Sequence, residues 1–178
     1  MLASGYIDGP NLAQFAAQFT RVTDGGARGF CIMSPPGYGK TLSLALWAHV
    51  FRIRSYSVPA LVELARDNRA HFNRILAPDA QDRAAGFHKA DLILDDLGAE
   101  PVFSHYGELS ELGAVMIERR YEMWSRHRAL TFWATNLTPK MVRKRYGERG
   151  NSRFVEMAAR VVFEGPDRRL QQAEAGGR

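Results

Sequence analysis

Between Ser34 and Thr41 the chain reads SPPGYGKT, where a short apolar run gives way to a helical pattern. Glycines accept the dihedrals that bring backbone N–H groups close to an anion, and the first turn of the following helix points its partial positive charge the same way. Gly37, Tyr38, Gly39, Lys40 and Thr41 therefore form a candidate cradle for the phosphates of a nucleotide such as ATP. Lys40 is placed to neutralise the β- and γ-phosphates, and Thr41 to offer its hydroxyl to Mg²⁺. One position departs from the pattern G-x-x-x-x-G-K-[ST]: Ser34 stands where the first glycine is expected. A backbone that required positive φ there would strain a serine by ~1 kcal/mol or more.

Two later segments can complete such a site. DLILDDLG, Asp91 to Gly98, runs apolar residues up to a pair of acids. Asp95 suits a metal ion held through water, and Asp96 suits polarisation of an attacking water. TFWATNLTP, Thr131 to Pro139, ends a β-rich run on Asn136, whose amide can orient that water and sense a γ-phosphate. Either segment alone also reads as an ordinary strand end before a turn. Their order after the phosphate loop is what gives them weight.

The elements that must position these residues follow from periodicity. Gly29 to Met33 is a short apolar strand, and Lys40 to Val50 a largely apolar helix that needs cover on most sides. Asp8 to Val22 has apolar residues at helical spacing behind Pro10. A strand is expected around Phe51 to Tyr56, a helix from Pro59 to about Arg74, and a polar connection from Pro78 to Lys89. Leu92 to Leu94 reads as a buried strand, followed after a turn at Gly98 to Tyr106 by a long helix with Leu109, Leu112, Met116 and Met123 on one side. Ala129 to Thr135 is a strand, Thr138 and Pro139 open a helix ending near Gly147, Ser152 to Ala159 is helical again, and Arg160 to Phe163 is a final strand. Strands alternating with helices predict an α/β fold with a mostly parallel sheet covered on both faces.

The whole composition fits one domain. The chain has 178 residues, 46% of them hydrophobic and 24% charged, with no repeat or low-complexity tract. Residues 1–170 are expected to form the single domain and 171–178 a disordered tail. A net charge of +5 leans toward anionic partners without naming one. The one cysteine, Cys31, excludes an internal disulfide, and the five histidines show no ligand spacing for a structural metal. No signal-peptide pattern or eighteen-residue apolar run is present, which predicts a cytoplasmic protein with no membrane partner. Trp47, Trp124 and Trp133 lie in apolar periodic segments and read as core or interface.

With the three motifs in this order, followed by YGERGNSRF at Tyr146 to Phe154 and FEGPDRR at Phe163 to Arg169, the chain resembles DnaC/DnaI-type helicase loaders and the related IstB-type transposition ATPases. The resemblance spans roughly Ile7 to Arg169. It implies the three-layer P-loop NTPase sandwich of the AAA+ class and an ATPase that acts as a homo-oligomer on DNA, single strands above all. It implies a replicative helicase as partner, or a transposase on the IstB alternative. A weakly hydrolysing, nucleotide-switched adaptor is the third reading, favoured by Ser34 and Asp96. Paired aspartates are frequent in this group where many AAA+ proteins have Asp-Glu. Asn136 matches the sensor-1 position, Arg153 the arginine finger with Arg149 as the nearby alternative, and Arg169 the sensor-2 arginine. Arg119, Arg120 and Tyr121 resemble the arginine-rich segment ahead of the sensor-1 strand. The stretch before Tyr56 is short for the group, which predicts an abbreviated second strand. Lys140, Arg143, Lys144 and Arg145 form a basic helix that suits either a DNA backbone or solvent.

Overall fold

The computed structural model describes residues 17, 28–79, 81–82, 91–101, 103–105, 108–110 and 112–163. Their order is β1 (Gly29–Met33), α1 (Lys40–Phe51), β2 (Arg54–Ser57), α2 (Val58–Asp67), α3 (Arg69–Leu76) and β3 (Leu92–Leu97), then β4 (Phe103–His105), β5 (Glu108–Ser110), α4 (Leu112–His127), β6 (Thr131–Thr135), α5 (Pro139–Met157) and β7 (Ala158–Val161). Five strands make one sheet in the order β2-β3-β6-β1-β7, with every pairing parallel. The predicted α/β class is therefore present, and all five strands end at one edge.

Side chains alternate across the sheet and divide the core in two. Phe30 and Ile32 of β1 pack with Leu44 and Trp47 of α1 on one face, together with Ile93 and Phe132. Cys31 and Met33 look the other way, toward α2 to α5, with Leu92, Leu94 and Trp133. Burial on both faces explains why β1 and β6 read as unbroken apolar runs instead of alternating ones. All three tryptophans lie in this interior: Trp133 is fully buried against Phe154, Trp47 meets Phe30 edge-on, and Trp124 stacks near Tyr121. Cys31 is buried core.

Several expectations shift. The helix expected from Pro59 to Arg74 is two helices, because Asn68 leaves helical dihedrals and its side chain accepts the N–H of His71 as an N-cap. Leu109 lies in β5, paired antiparallel with β4, and not on the following helix, which starts at Leu112. The expected break near Gly147 is present: this residue, at φ 73 and ψ 174, interrupts the helical run between two halves of α5. The abbreviated second strand is a four-residue edge strand. On α1 the buried residues are Lys40, Ser43, Leu44 and Trp47, while Val50 is exposed, so cover on most sides is not seen among the described residues.

Arg120 is wholly buried, an unusual setting for a guanidinium. It donates to the hydroxyl of Thr131 and to the carbonyls of Leu76 and Leu130, stitching α3, α4 and the start of β6 together. Its role is structural. The Asp8 to Val22 helix, apart from Ala17, lies outside the described residues, as do most of the connection before Lys89, Arg169 and the tail. No described helix is long and apolar enough to cross a membrane.

Candidate functional site

The chain leaves β1 at Met33 and reaches α1 through the loop that ends on Gly39. Gly37 and Gly39 take φ values of 85° and 79°, in the left-handed region that a side chain disfavours. Gly39 is the N-cap of α1, with no side-chain cap and no acid in the first turn. The positive end of α1 is thus offered to an anion with nothing of the helix's own competing for it. Tyr38 packs its ring against the core on the α1 side.

Lys40 is buried, and its ammonium donates to Ser34 O at 2.7 Å, Pro35 O at 2.7 Å and Asn136 Oδ1 at 2.6 Å. The last contact sits at a topological junction. β1 and β6 are neighbours, yet the chain leaves β1 for α1 on one face of the sheet and leaves β6 for α5 on the other. Such a divergence opens a crevice beyond the strand ends, the usual ligand position in an open α/β sheet. Lys40 and Asn136 close on each other there.

Asp95 and Asp96 stand at the same edge, on β3. The side chain of Asp95 is buried and lies beside Thr41, so the two residues assigned to Mg²⁺ meet. Burial raises its pKa above the ordinary carboxylate value, and the charge of Asp96 adds to this, against the lowering effects of Thr41 and Lys40. Between Leu94 and Leu97 the register with β6 slips, so three steps on β3 match two on β6, from Trp133 to Thr135. The slip is a bulge, and within it Asp96 adopts φ 59°, while its N–H donates to Asp95 Oδ1 at 2.9 Å. A left-handed aspartate inside a strand re-aims its carboxylate at the cost of local strain, a pattern typical of functional positions.

Ser34 is not strained: its φ is not positive, so the expected penalty does not arise. Its buried hydroxyl donates to Phe163 O at 3.1 Å and accepts from Phe163 N at 2.7 Å. A glycine could make neither bond.

The arginines behave differently. Arg153 pairs with Glu118 of α4 and lies 5.0 Å from the Tyr121 ring centroid, and Arg149 pairs with the same Glu118 at 3.3 Å. Both thus pair with α4, not with Asp95 or Asn136. Arg145, read as part of a basic face, is instead largely covered and donates to the carbonyls of Gly98 and Glu100. Lys140 and Lys144 are exposed, and Arg143 pairs with Glu148. Sequence reasoning gave no role to Glu100, Glu118 or Tyr146. Local signals were Tyr146's place at the head of YGERGNSRF and Glu100's place two residues beyond Gly98, in the turn after the acidic pair.

These groups fit a nucleotide with Mg²⁺. Among the described residues no three His, Cys, Asp or Glu side chains gather into a metal cage. Thr41 and Asp95 alone suit an ion that keeps several waters and takes the rest of its oxygens from phosphate.

No family model and no curated protein matches the sequence. Solved structures do. DnaI matches at a TM-score of 0.60 and 20% identity, over 90% of this chain and 85% of that one. Domain III of the replication initiation protein DnaA from Thermotoga maritima matches at 0.55 and 15% identity, over 97% of this chain and 70% of that one. AMPPCP-bound DnaA from Aquifex aeolicus matches at 0.58 and 16% identity, over 97% of this chain and 53% of that one. Identities this low establish architecture alone, and it agrees with the sheet order and phosphate loop: the chain has the parallel α/β fold found in DnaI and in domain III of DnaA.

Proposed function

We propose that the chain binds ATP with Mg²⁺ and hydrolyses it as an oligomeric ATPase of the helicase-loader type, acting on DNA in replication. The observation that carries this is the meeting of Lys40, Thr41, Asp95 and Asn136 where β1, β3 and β6 end, with Lys40 Nζ 2.6 Å from the Asn136 amide oxygen. Backbone N–H groups from Gly37 to Thr41 and the Lys40 ammonium bind the phosphates. Thr41 and Asp95 hold Mg²⁺, which when bound neutralises phosphate charge. Asp96 accepts a proton from the attacking water and Asn136 orients that water, so Asp96→Asn slows hydrolysis while sparing binding.

Arg153 acts on the nucleotide of a neighbouring subunit, with Arg149 the alternative, and Arg169 on its own. Lys140 and Lys144 present exposed cations for phosphate contacts that ignore base sequence. The replication setting draws its support from the DnaA and DnaI likenesses. The partner is a replicative helicase, and a stimulation of hydrolysis by a transposase in its place would move the chain to the IstB type.

The test mixes two variants. Lys40→Ala loses ATP binding and keeps its fold, whereas Arg153→Ala binds ATP and hydrolyses it about a thousandfold more slowly, or less if the enzyme is slow. Each supplies what the other lacks, so a co-assembled mixture recovers part of the activity. Unchanged ATP affinity in Lys40→Ala defeats the nucleotide site. No recovery in a mixture shown to co-assemble defeats the arrangement across subunits.

A further inference from the structure

We propose that Glu100 is the positioning residue of this site: it locks the turn that holds Asp96 in its left-handed conformation. The inference rests on the role given above to Asp96 and adds what keeps that side chain aimed.

A non-glycine residue at φ 59° reverts to ordinary dihedrals unless its surroundings over-determine it. Here they do. The turn after the acidic pair runs through Gly98, which at φ 96° packs against Leu137, and the N–H of Ala99 closes it on Asp96 O at 3.0 Å. Glu100 reaches back so that its Oε2 accepts the Gly98 N–H at 2.7 Å, while Oε1 accepts the Tyr146 hydroxyl at 2.5 Å. The carboxylate side chain is only 1% exposed, and Arg145 lies 3.3 Å from it. Arg145 also donates to the carbonyls of Gly98 at 2.7 Å and Glu100 at 2.6 Å. On the sheet side, the Thr135 hydroxyl donates to Leu97 O at 2.5 Å. The turn is thus held from α5 and from the end of β6 at once.

Space confirms how closely the carboxylate is seated. A Cβ on Gly113 of α4 would lie 2.4 Å from Glu100 Oε1 and 2.8 Å from Tyr146 Cε1. Burying an acid this deeply is costly unless its oxygens are satisfied. Two hydrogen-bond donors, the Gly98 N–H of the turn and the Tyr146 hydroxyl of α5, and the paired Arg145 guanidinium satisfy it. A surface turn would not need such an arrangement, but a turn that must fix the preceding aspartate does.

The test compares Glu100→Gln and the milder Tyr146→Phe, each in the natural chain and in the Asp96→Asn background. Glu100→Gln is expected to lower kcat about tenfold to a hundredfold, as displacement of a reacting group does, and to leave KM within about twofold. In Asp96→Asn the same change adds nothing, because the group it positions is already disabled. Hydrogen exchange on the nucleotide-free protein gives an independent readout: the amides of residues 96–100 exchange faster in both variants, while those of β1 and β6 do not. If Glu100→Gln does not fold, Tyr146→Phe carries both measurements with a smaller effect. Equal losses of kcat in both backgrounds, or unchanged exchange at 96–100, overturn the inference. An Asp96→Asn variant that hydrolyses ATP normally overturns instead the role assigned to Asp96, and the inference falls with it.

Discussion

At Ser34 a hydroxyl stands where a phosphate loop usually has glycine, and it grips both backbone groups of Phe163, 129 residues along the chain. Ser34→Gly removes two buried hydrogen bonds at about 1 kcal/mol each, with no strain to relieve in return. Urea unfolding of the nucleotide-free variant should show its midpoint lowered accordingly; an unchanged midpoint would mean the two bonds contribute nothing net. Asp95 makes the opposite case. Its folded pKa is raised by burial, so its favourable contribution to folding is complete only below the ordinary value of 3.8 and is lost as pH rises through the raised value. At pH 7 the ionised carboxylate counts against the fold. Asp95→Asn should then stabilise the nucleotide-free protein by about 1 kcal/mol at pH 7, with a smaller gain at pH 5, while Mg²⁺-dependent ATP binding is lost. A gain that is absent or grows toward acid pH contradicts this account. The convergence of Lys40, Thr41, Asp95 and Asn136 was legible because parallel strands end at one edge of a sheet, β3 at the acids, β6 just before Asn136, and β1 in the loop that leads to Lys40. Glu100 and Glu118 were not, because the partners that make them matter come from helices whose packing no local spacing reveals.

Among the elements, α5 divides its work at Gly147. The half before it carries Arg145 and Tyr146, which clamp the acidic turn, and the half after it carries Arg149 and Arg153, both held by Glu118 of α4. A Cβ at Gly147 would meet nothing within 4 Å, so only its φ of 73° calls for glycine. The break was visible in the sequence through that glycine. The split of α2 from α3 was not, since an asparagine cap within a helical pattern looks like any polar surface residue until its side chain is seen to accept the His71 N–H. Arg153 pairs with Glu118 of its own chain, so if it serves a neighbouring subunit as proposed, Glu118→Gln should release it for that role. Partly exposed pairs of this kind are worth about 0.5 kcal/mol, so half-maximal specific activity should come at roughly twofold lower protein concentration. A higher concentration, or none reached at all, would show that Glu118 supports the arginine in its working position.

For the molecule as a whole, the fold class and the active edge follow from alternating strands and helices, while the antiparallel pair β4 and β5 did not announce itself in three-residue strands. The sheet order has a consequence for how the chain is made. β1 emerges from the ribosome first of the five, yet it pairs only with β6 and β7, the two that emerge last. A chain stopped at Met157 lacks β7 and the Phe163 clasp, and should lose the ATP retention on a filter that is expected of residues 1–178; equal retention by both would show that β1 and its loop settle without them. During synthesis the delay between Ser34 and Phe163 is roughly 6–26 s at about 5–20 residues per second. Until β6 is made the nascent chain carries GFCIM with both strand edges unpaired, and until β7 is made with one, an apolar template open to other chains. Translation speed and chaperone supply, more than the stability of the finished domain, should therefore govern how much of this protein a cell recovers in folded form.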